Sequence, residues 1–201
     1  MTKKDKYVFA QVIRDVIEFL EIEDDPTPEL TPEALAERYT EILQIAVKLV
    51  HQFPDVSLDN ELPNRPRSWK VLLHHVFQIP KAFLDNEEKS QEYTYELMTE
   101  SPPEKLKNSS DIANFGKEIS NRFILWWKKS RNSDFSKQVL TYFGMTSRHE
   151  LLERTVWHST QHIRQLQSLL ENLEIKPGEI ISNEQMKGLP LTQEIWDEQK
   201  M

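Results

Sequence analysis

Apolar residues recur every three or four positions in five segments of this 201-residue chain, and proline-containing loops separate most of these segments. A repeat of this period places one face of an α-helix against a protein core. We therefore predict helices at about residues 4–22, 32–53, 68–86, 111–131 and 148–173. Because no strand pattern accompanies them, the predicted fold is all-α: a four-helix bundle with an extra N-terminal helix and an irregular C-terminal tail.

Capping residues and prolines predict where the segments begin and end. Thr31 followed by Pro32 is typical of a helix start, and Ser147 with Glu150 forms a predicted capping box. Pro80 falls inside the 68–86 segment, where we expect a kink or a break near Ile79. The predicted organisation is an N-terminal helix and acidic linker at 1–30, a four-helix bundle at 31–175, and a tail packed on it at 176–201.

Composition excludes several classes of protein. Without Cys the chain has no disulfide, no Cys-ligated zinc and no cysteine nucleophile, and its four scattered Gly cannot form a phosphate-binding glycine loop. A formal net charge of −8 argues against binding to a nucleic-acid backbone. The absence of a long apolar run predicts no membrane span and no signal peptide. We therefore expect a cytoplasmic protein.

The histidines carry the strongest chemical signal. His158 and His162 lie four residues apart on the apolar face of the 148–173 helix, a spacing at which two imidazoles can share one metal ion. His75 lies on the inward face of the 68–86 helix and is the candidate third ligand, whereas His74 is predicted to point outward. Ser159 stands where a zinc protease needs Glu, which excludes that class. The alternative is three histidines that are hydrogen-bonded to neighbours and bind no metal.

Three stretches of the chain resemble the DinB/YfiT-like family. Residues 67–77, Arg-Ser-Trp-Lys-Val-Leu-Leu-His-His-Val-Phe, look like the family's second-helix motif. Residues 152–166 contain the His-x-x-x-His pattern of its last helix, and Gly-Leu-Pro-Leu at 188–191 continues the match. The resemblance covers roughly residues 32–201 in layout. The additional helix at 4–22 and Pro80 depart from the family's usual pattern.

The resemblance implies a four-helix bundle that holds one divalent metal on His75, His158 and His162. Zn²⁺ is the first choice of metal, and Ni²⁺, Fe²⁺ and Mn²⁺ suit the same ligands. Characterised relatives include S-transferases and an isomerase that use small thiols such as bacillithiol, mycothiol or glutathione. We therefore predict an enzyme that adds or transfers a low-molecular-weight thiol to a small electrophile. The alternatives are a hydrolase that uses a hydroxide on the metal, and a non-catalytic helical module that binds metal or a protein partner.

Several other residues have a functional and a structural interpretation. Arg154 can bind an anionic group or pair with Glu150, and we favour the pairing. Gln161 and Gln165 can contact a ligand or face solvent, and we favour solvent-facing side chains. Trp126, Trp127 and Trp157 can line a pocket or belong to the core, and we favour the core. The tail with Leu189, Leu191 and Trp196 can close over the bundle end as a lid or only cover apolar surface, which we favour for the tail. The apolar stripe Phe9, Val16 and Leu20 is a candidate homodimer surface or packs on its own bundle.

Overall fold

The computed structural model describes residues 28–62 and 65–196, and within them the chain is mainly helical, as predicted. The predicted helix at 4–22 and its homodimer stripe lie outside the described residues. In chain order the helices are α1 (Pro32–His51), α2 (Trp69–Lys89), α3 (Tyr95–Met98), α4 (Ser109–Ser130), α5 (Arg148–Asn172) and α6 (Asn183–Met186), with a 3₁₀ turn at Asp55–Ser57. No helix among the described residues has the length and apolarity to cross a bilayer.

Two short antiparallel hairpins interrupt the helical pattern, and the sequence analysis missed them. Strand β1 (Glu61–Leu62) pairs with β2 (Arg65–Ser68), and β3 (Gln138–Thr141) pairs with β4 (Gly144–Ser147). Strands of two to four residues are too short to show a clear alternation of apolar and polar side chains. Each hairpin ends on the N-cap residue of a long helix, Ser68 for α2 and Ser147 for α5. The hairpins therefore set the start of both helices that carry the candidate metal ligands.

The predicted helix starts are confirmed at their caps. Thr31 Oγ1 accepts a hydrogen bond from the Ala34 amide at 3.2 Å, with Pro32 in the first turn. At α5, the Glu150 amide donates to Ser147 Oγ and the Ser147 amide donates to the Glu150 carboxylate, which is the predicted capping box. Each pair satisfies amide groups that have no partner within the helix.

Helix α2 continues through Pro80, so of the two predicted outcomes the break near Ile79 is wrong, and the kink stays a prediction. A proline inside a helix has no amide hydrogen, and the carbonyl four residues earlier loses its usual donor. That carbonyl belongs to Val76, and the hydroxyl of Ser159 on α5 donates to it at 3.4 Å. The Ser159 hydroxyl of the neighbouring helix thus partly replaces the hydrogen-bond donor that the Val76 carbonyl loses because of Pro80.

The four long helices surround one apolar core. Helices α1 and α2 each pack against both α4 and α5, and buried side chains from all four form a continuous cluster. Across this core the rings of Tyr39 and Phe123 meet edge to face, with their centroids 5.0 Å apart. Burial of large apolar side chains is the dominant favourable term in folding. The packing of α2 on α5 brings the histidine-bearing faces of these helices together.

Candidate metal centre

His75, His158 and His162 meet between α2 and α5, as the sequence analysis proposed. Each offers one ring nitrogen, and these three atoms lie within 4.8 Å of one another. The ring centroids of His75 are 5.6 Å from His158 and 5.1 Å from His162, and the latter two rings are 5.0 Å apart. This group could hold a metal ion, because imidazole is a common ligand of divalent transition metals.

The helical positions of the three residues explain their convergence. His75 lies on α2 in the same buried row as Leu72 and Ile79, and it is 5% exposed. His158 and His162 are one turn apart on α5, the first half-buried and the second 2% exposed. Two packed helical faces thus bring three polar rings together, two of them buried and one half-buried. Buried polar groups are costly unless they find partners, and a shared metal ion would provide one.

Gln165 orients one of the candidate ligands. The Nδ1–H of His162 donates to Gln165 Oε1 at 3.0 Å, one turn further along α5. This bond assigns the tautomer in which Nε2 has its lone pair available for a metal. Gln165 is buried, so the favoured interpretation of a solvent-facing side chain is wrong. The sequence feature that indicates this contact is the position of Gln165 three residues after His162, which places both side chains on one helical face.

The electrostatic environment keeps the imidazoles of His75 and His158 neutral. Burial lowers the pKa of His75 well below its usual range, and the neighbouring His162 and Arg67 add to the effect. Burial also lowers the pKa of His158 to about 3, with further contributions from Arg154 and Arg67. A neutral imidazole retains the lone pair that a metal needs. His75 and His158 are therefore in a metal-binding protonation state at neutral pH.

His74 does not point outward, which corrects the prediction for that residue. Its side chain is 1% exposed and stacks on Phe115 of α4, with the ring centroids 5.2 Å apart. His74 and His75 point about 100° apart around the helix axis. Helix α2 is covered by neighbouring helices in both directions, so neither side chain reaches solvent. Its Nδ1 has no hydrogen-bond partner among the described residues. Burial lowers the pKa of His74 to about 4.

Two tryptophans adjoin the histidines. The ring of Trp196 in the tail lies 5.0 Å from His162 and 5.6 Å from His158. Trp157 lies 5.5 Å from His158, whereas Trp126 belongs to the core. The contact of Trp196 with the histidines was not predicted, because nothing in a tail sequence specifies where the tail docks.

Arg154 lies beside the same cluster. Its guanidinium carbon is 4.3 Å from the centroid of the Phe143 ring and 5.5 Å from that of Trp157, and Nη2 donates to the Tyr142 hydroxyl at 3.4 Å. Stacking of this kind places a permanent cation next to aromatic surface. The candidate centre is thus flanked by aromatic rings and by positive charge.

Neither the protein-family models nor the curated proteins compared with this chain give a match. The resemblance to the DinB/YfiT-like family therefore stays a prediction that rests on the three stretches quoted above.

Proposed function

We propose that this protein is a metal-dependent enzyme that adds or transfers a low-molecular-weight thiol to a small electrophile. We further propose that its long helices form a four-helix bundle of the DinB/YfiT type. The observation that carries the proposal is the convergence of three imidazole nitrogens within 4.8 Å, supplied by two different helices, with His75 and His162 buried and His158 half-buried. Histidines that only pack in the core would not be expected to bring their ring nitrogens together in this way.

The donor set suits a divalent transition metal, with Zn²⁺ the first choice and Ni²⁺, Fe²⁺ or Mn²⁺ as alternatives. Structural zinc sites usually have four protein ligands, whereas catalytic sites commonly have three and keep a position for water or substrate. The group found among the described residues has three members. A metal held there would lower the pKa of a bound thiol and so supply a thiolate at neutral pH.

The charges around the site favour an anionic ligand. Three neutral imidazoles leave the charge of a divalent ion uncompensated, and the fields of Arg67 and Arg154 already act on His158. A thiolate from a small-molecule cofactor would compensate this charge. The chain has no Cys of its own, so the sulfur must come from outside the protein. The uncompensated charge supports an anionic ligand, and the absence of Cys agrees with an external thiolate in that role.

Metal analysis of purified, tag-free protein tests the first part of the proposal. We expect about one transition metal per chain in the wild type and its loss in His158→Ala, with unchanged helical circular dichroism. His51→Ala is the matched control, because His51 is exposed at the end of α1. If the wild type takes up no Zn²⁺, Ni²⁺ or Mn²⁺ when these are offered, the metal-dependent enzyme is excluded.

Titration of the cobalt-loaded protein with small thiols tests the second part. We expect a thiolate-to-cobalt absorption band with at least one of glutathione, bacillithiol or mycothiol, and then consumption of a small electrophile in its presence. A protein that holds cobalt but develops no such band with any thiol would not be a thiol transferase. Loss of the band in His75→Ala, with His51→Ala unaffected, would assign it to this site.

A further inference from the structure

Trp157 and Trp196 form an aromatic corner next to His158. The two indole rings are 6.3 Å apart and nearly perpendicular, at 85°. The centroid of His158 lies 5.5 Å from the Trp157 ring and 5.6 Å from the Trp196 ring. Both tryptophans are only partly buried, so the corner retains apolar surface that a ligand can cover. We call this pair the aromatic corner.

The tail is fixed at this place by specific hydrogen bonds. Gln161, which lies between the two α5 histidines, is fully buried, and its Nε2 donates to Thr192 Oγ1 at 2.5 Å and to the Glu194 carbonyl at 2.8 Å. Arg164 donates to the Thr192 carbonyl at 2.7 Å and to the Gln193 carbonyl at 3.0 Å. Four bonds from one face of α5 thus hold the tail just before Trp196.

We propose that the aromatic corner binds the apolar part of the ligand, so that the site takes molecules in which a planar apolar group adjoins an anionic metal-binding donor. This inference rests on the metal centre proposed above and names the class of ligand that it accepts. Aromatic side chains offer large, rigid apolar surfaces, and a planar group gains both burial and stacking against them. The guanidinium of Arg154, 5.5 Å from the Trp157 ring, adds attraction for the anionic end.

The test compares two hydroxamates that bind metal through the same donor atoms. Benzohydroxamate carries a planar ring and acetohydroxamate a methyl group, and neither requires the thiol chemistry to occur. Their affinities for the full-length, cobalt-loaded protein are measured from the visible spectrum of the metal. The preference for benzohydroxamate is then compared with that of free Co²⁺ in the same buffer.

We expect the wild-type protein to prefer benzohydroxamate more strongly than free Co²⁺ does. Trp196→Ala and Trp196→Leu should each reduce this preference by about tenfold while the cobalt spectrum without ligand is retained. Trp127→Leu is the matched control and should keep the wild-type preference, since Trp127 is also partly buried but packs near Trp126 and Phe135. Trp196→Leu keeps apolar volume, so it decides the question if Trp196→Ala does not fold.

The possible results separate the two proposals. A wild-type preference no greater than that of free Co²⁺ overturns the inference, as does an unchanged preference in Trp196→Leu, because the tryptophan then only packs on the histidines. Neither of these two results contradicts the proposed metal centre. A wild-type protein that shows no cobalt spectrum at all overturns the metal centre and the inference with it.

Discussion

The imidazole of His162 donates from Nδ1 to Gln165 Oε1 over 3.0 Å, and both side chains are buried. A ligand histidine that is held in this way presents a fixed ring and a fixed tautomer to its metal. We predict that Gln165→Leu weakens metal binding by about 10–100-fold, because the ring loses its orienting partner. Competition against a chelator of known affinity measures the change.

Gln167→Leu provides the control for this substitution. Gln167 lies on the same helix, is also buried and donates only a 3.4 Å bond to the Glu179 carbonyl. Its replacement should leave the metal affinity at the wild-type value. Equal affinities in Gln165→Leu and the wild type would show that the hydrogen bond has no influence on the site.

The parts of the fold that depend on local sequence were predictable. The repeat of apolar residues located the long helices, and short-range capping located the starts of α1 and α5 at Thr31 and Ser147. The same periodicity placed His75 on the inner face of its helix, in line with Leu72. These features are set by neighbours within one or two helical turns, which the sequence displays directly.

The parts that depend on contacts between distant segments were not predictable. His74 is buried because α4 covers its side of α2, and Gln161 is buried because residues 192–194 return to α5. Likewise, α2 continues through Pro80, where the hydroxyl of Ser159 reaches the Val76 carbonyl from another helix. A periodic pattern identifies an inner face but does not identify which segment covers the remaining faces.

Tyr39 and Ser159 form a buried hydrogen bond that should respond unequally to the loss of either hydroxyl. Their oxygens are 2.7 Å apart, and Ser159 Oγ also lies 3.4 Å from the Val76 carbonyl. We predict that Ser159→Ala destabilises the protein by about 1–3 kcal/mol, because the Tyr39 hydroxyl is left buried without a partner. Tyr39→Phe should cost less, about 0.5–1.5 kcal/mol, since Ser159 retains Val76 as its acceptor.

Urea unfolding of the metal-free proteins measures both changes, and metal-free samples separate stability from metal binding. The double variant should be less destabilised than the sum of the two single variants, because neither hydroxyl of the Tyr39–Ser159 pair is then left buried without its partner. A larger loss in Tyr39→Phe than in Ser159→Ala would contradict this account of the bond.

Asp85 is buried among cations and should make stability depend on acid pH. Burial by itself raises the pKa of its carboxyl, but bonds from Lys89, Arg122 and Lys81 outweigh burial and lower it from 3.8 to about 2. A depressed pKa stabilises the folded state above the unfolded-state value, and this contribution is lost as the pH falls through the folded-state value. The contribution of Asp85 should therefore be complete above about pH 4 and disappear near pH 2.

Comparison with Asp85→Asn isolates this contribution. At pH 7 the variant should be less stable than the wild type by about 1–3 kcal/mol in denaturant unfolding, and the gap should close between about pH 4 and pH 2. Asp59→Asn is the control, because Asp59 is exposed, and its gap should stay below about 0.5 kcal/mol throughout. A gap for Asp85→Asn that is constant with pH would show that the charge of Asp85 does not stabilise the fold.

Replacement of Gly116, in the middle of α4, by alanine should have the opposite effect on stability from that usually seen for a glycine in a helix. Alanine normally stabilises a helix interior by about 1 kcal/mol relative to glycine. Here a Cβ would overlap the ring of Phe77, which α2 packs against this point and which is fully buried. We predict that Gly116→Ala destabilises the protein by about 1–3 kcal/mol in urea unfolding, through overpacking of the α2–α4 contact. In a Phe77→Leu background the same substitution should cost less, because the smaller side chain leaves room for the methyl group. A stabilising Gly116→Ala in the wild-type background would mean that α2 and α4 do not approach each other this closely.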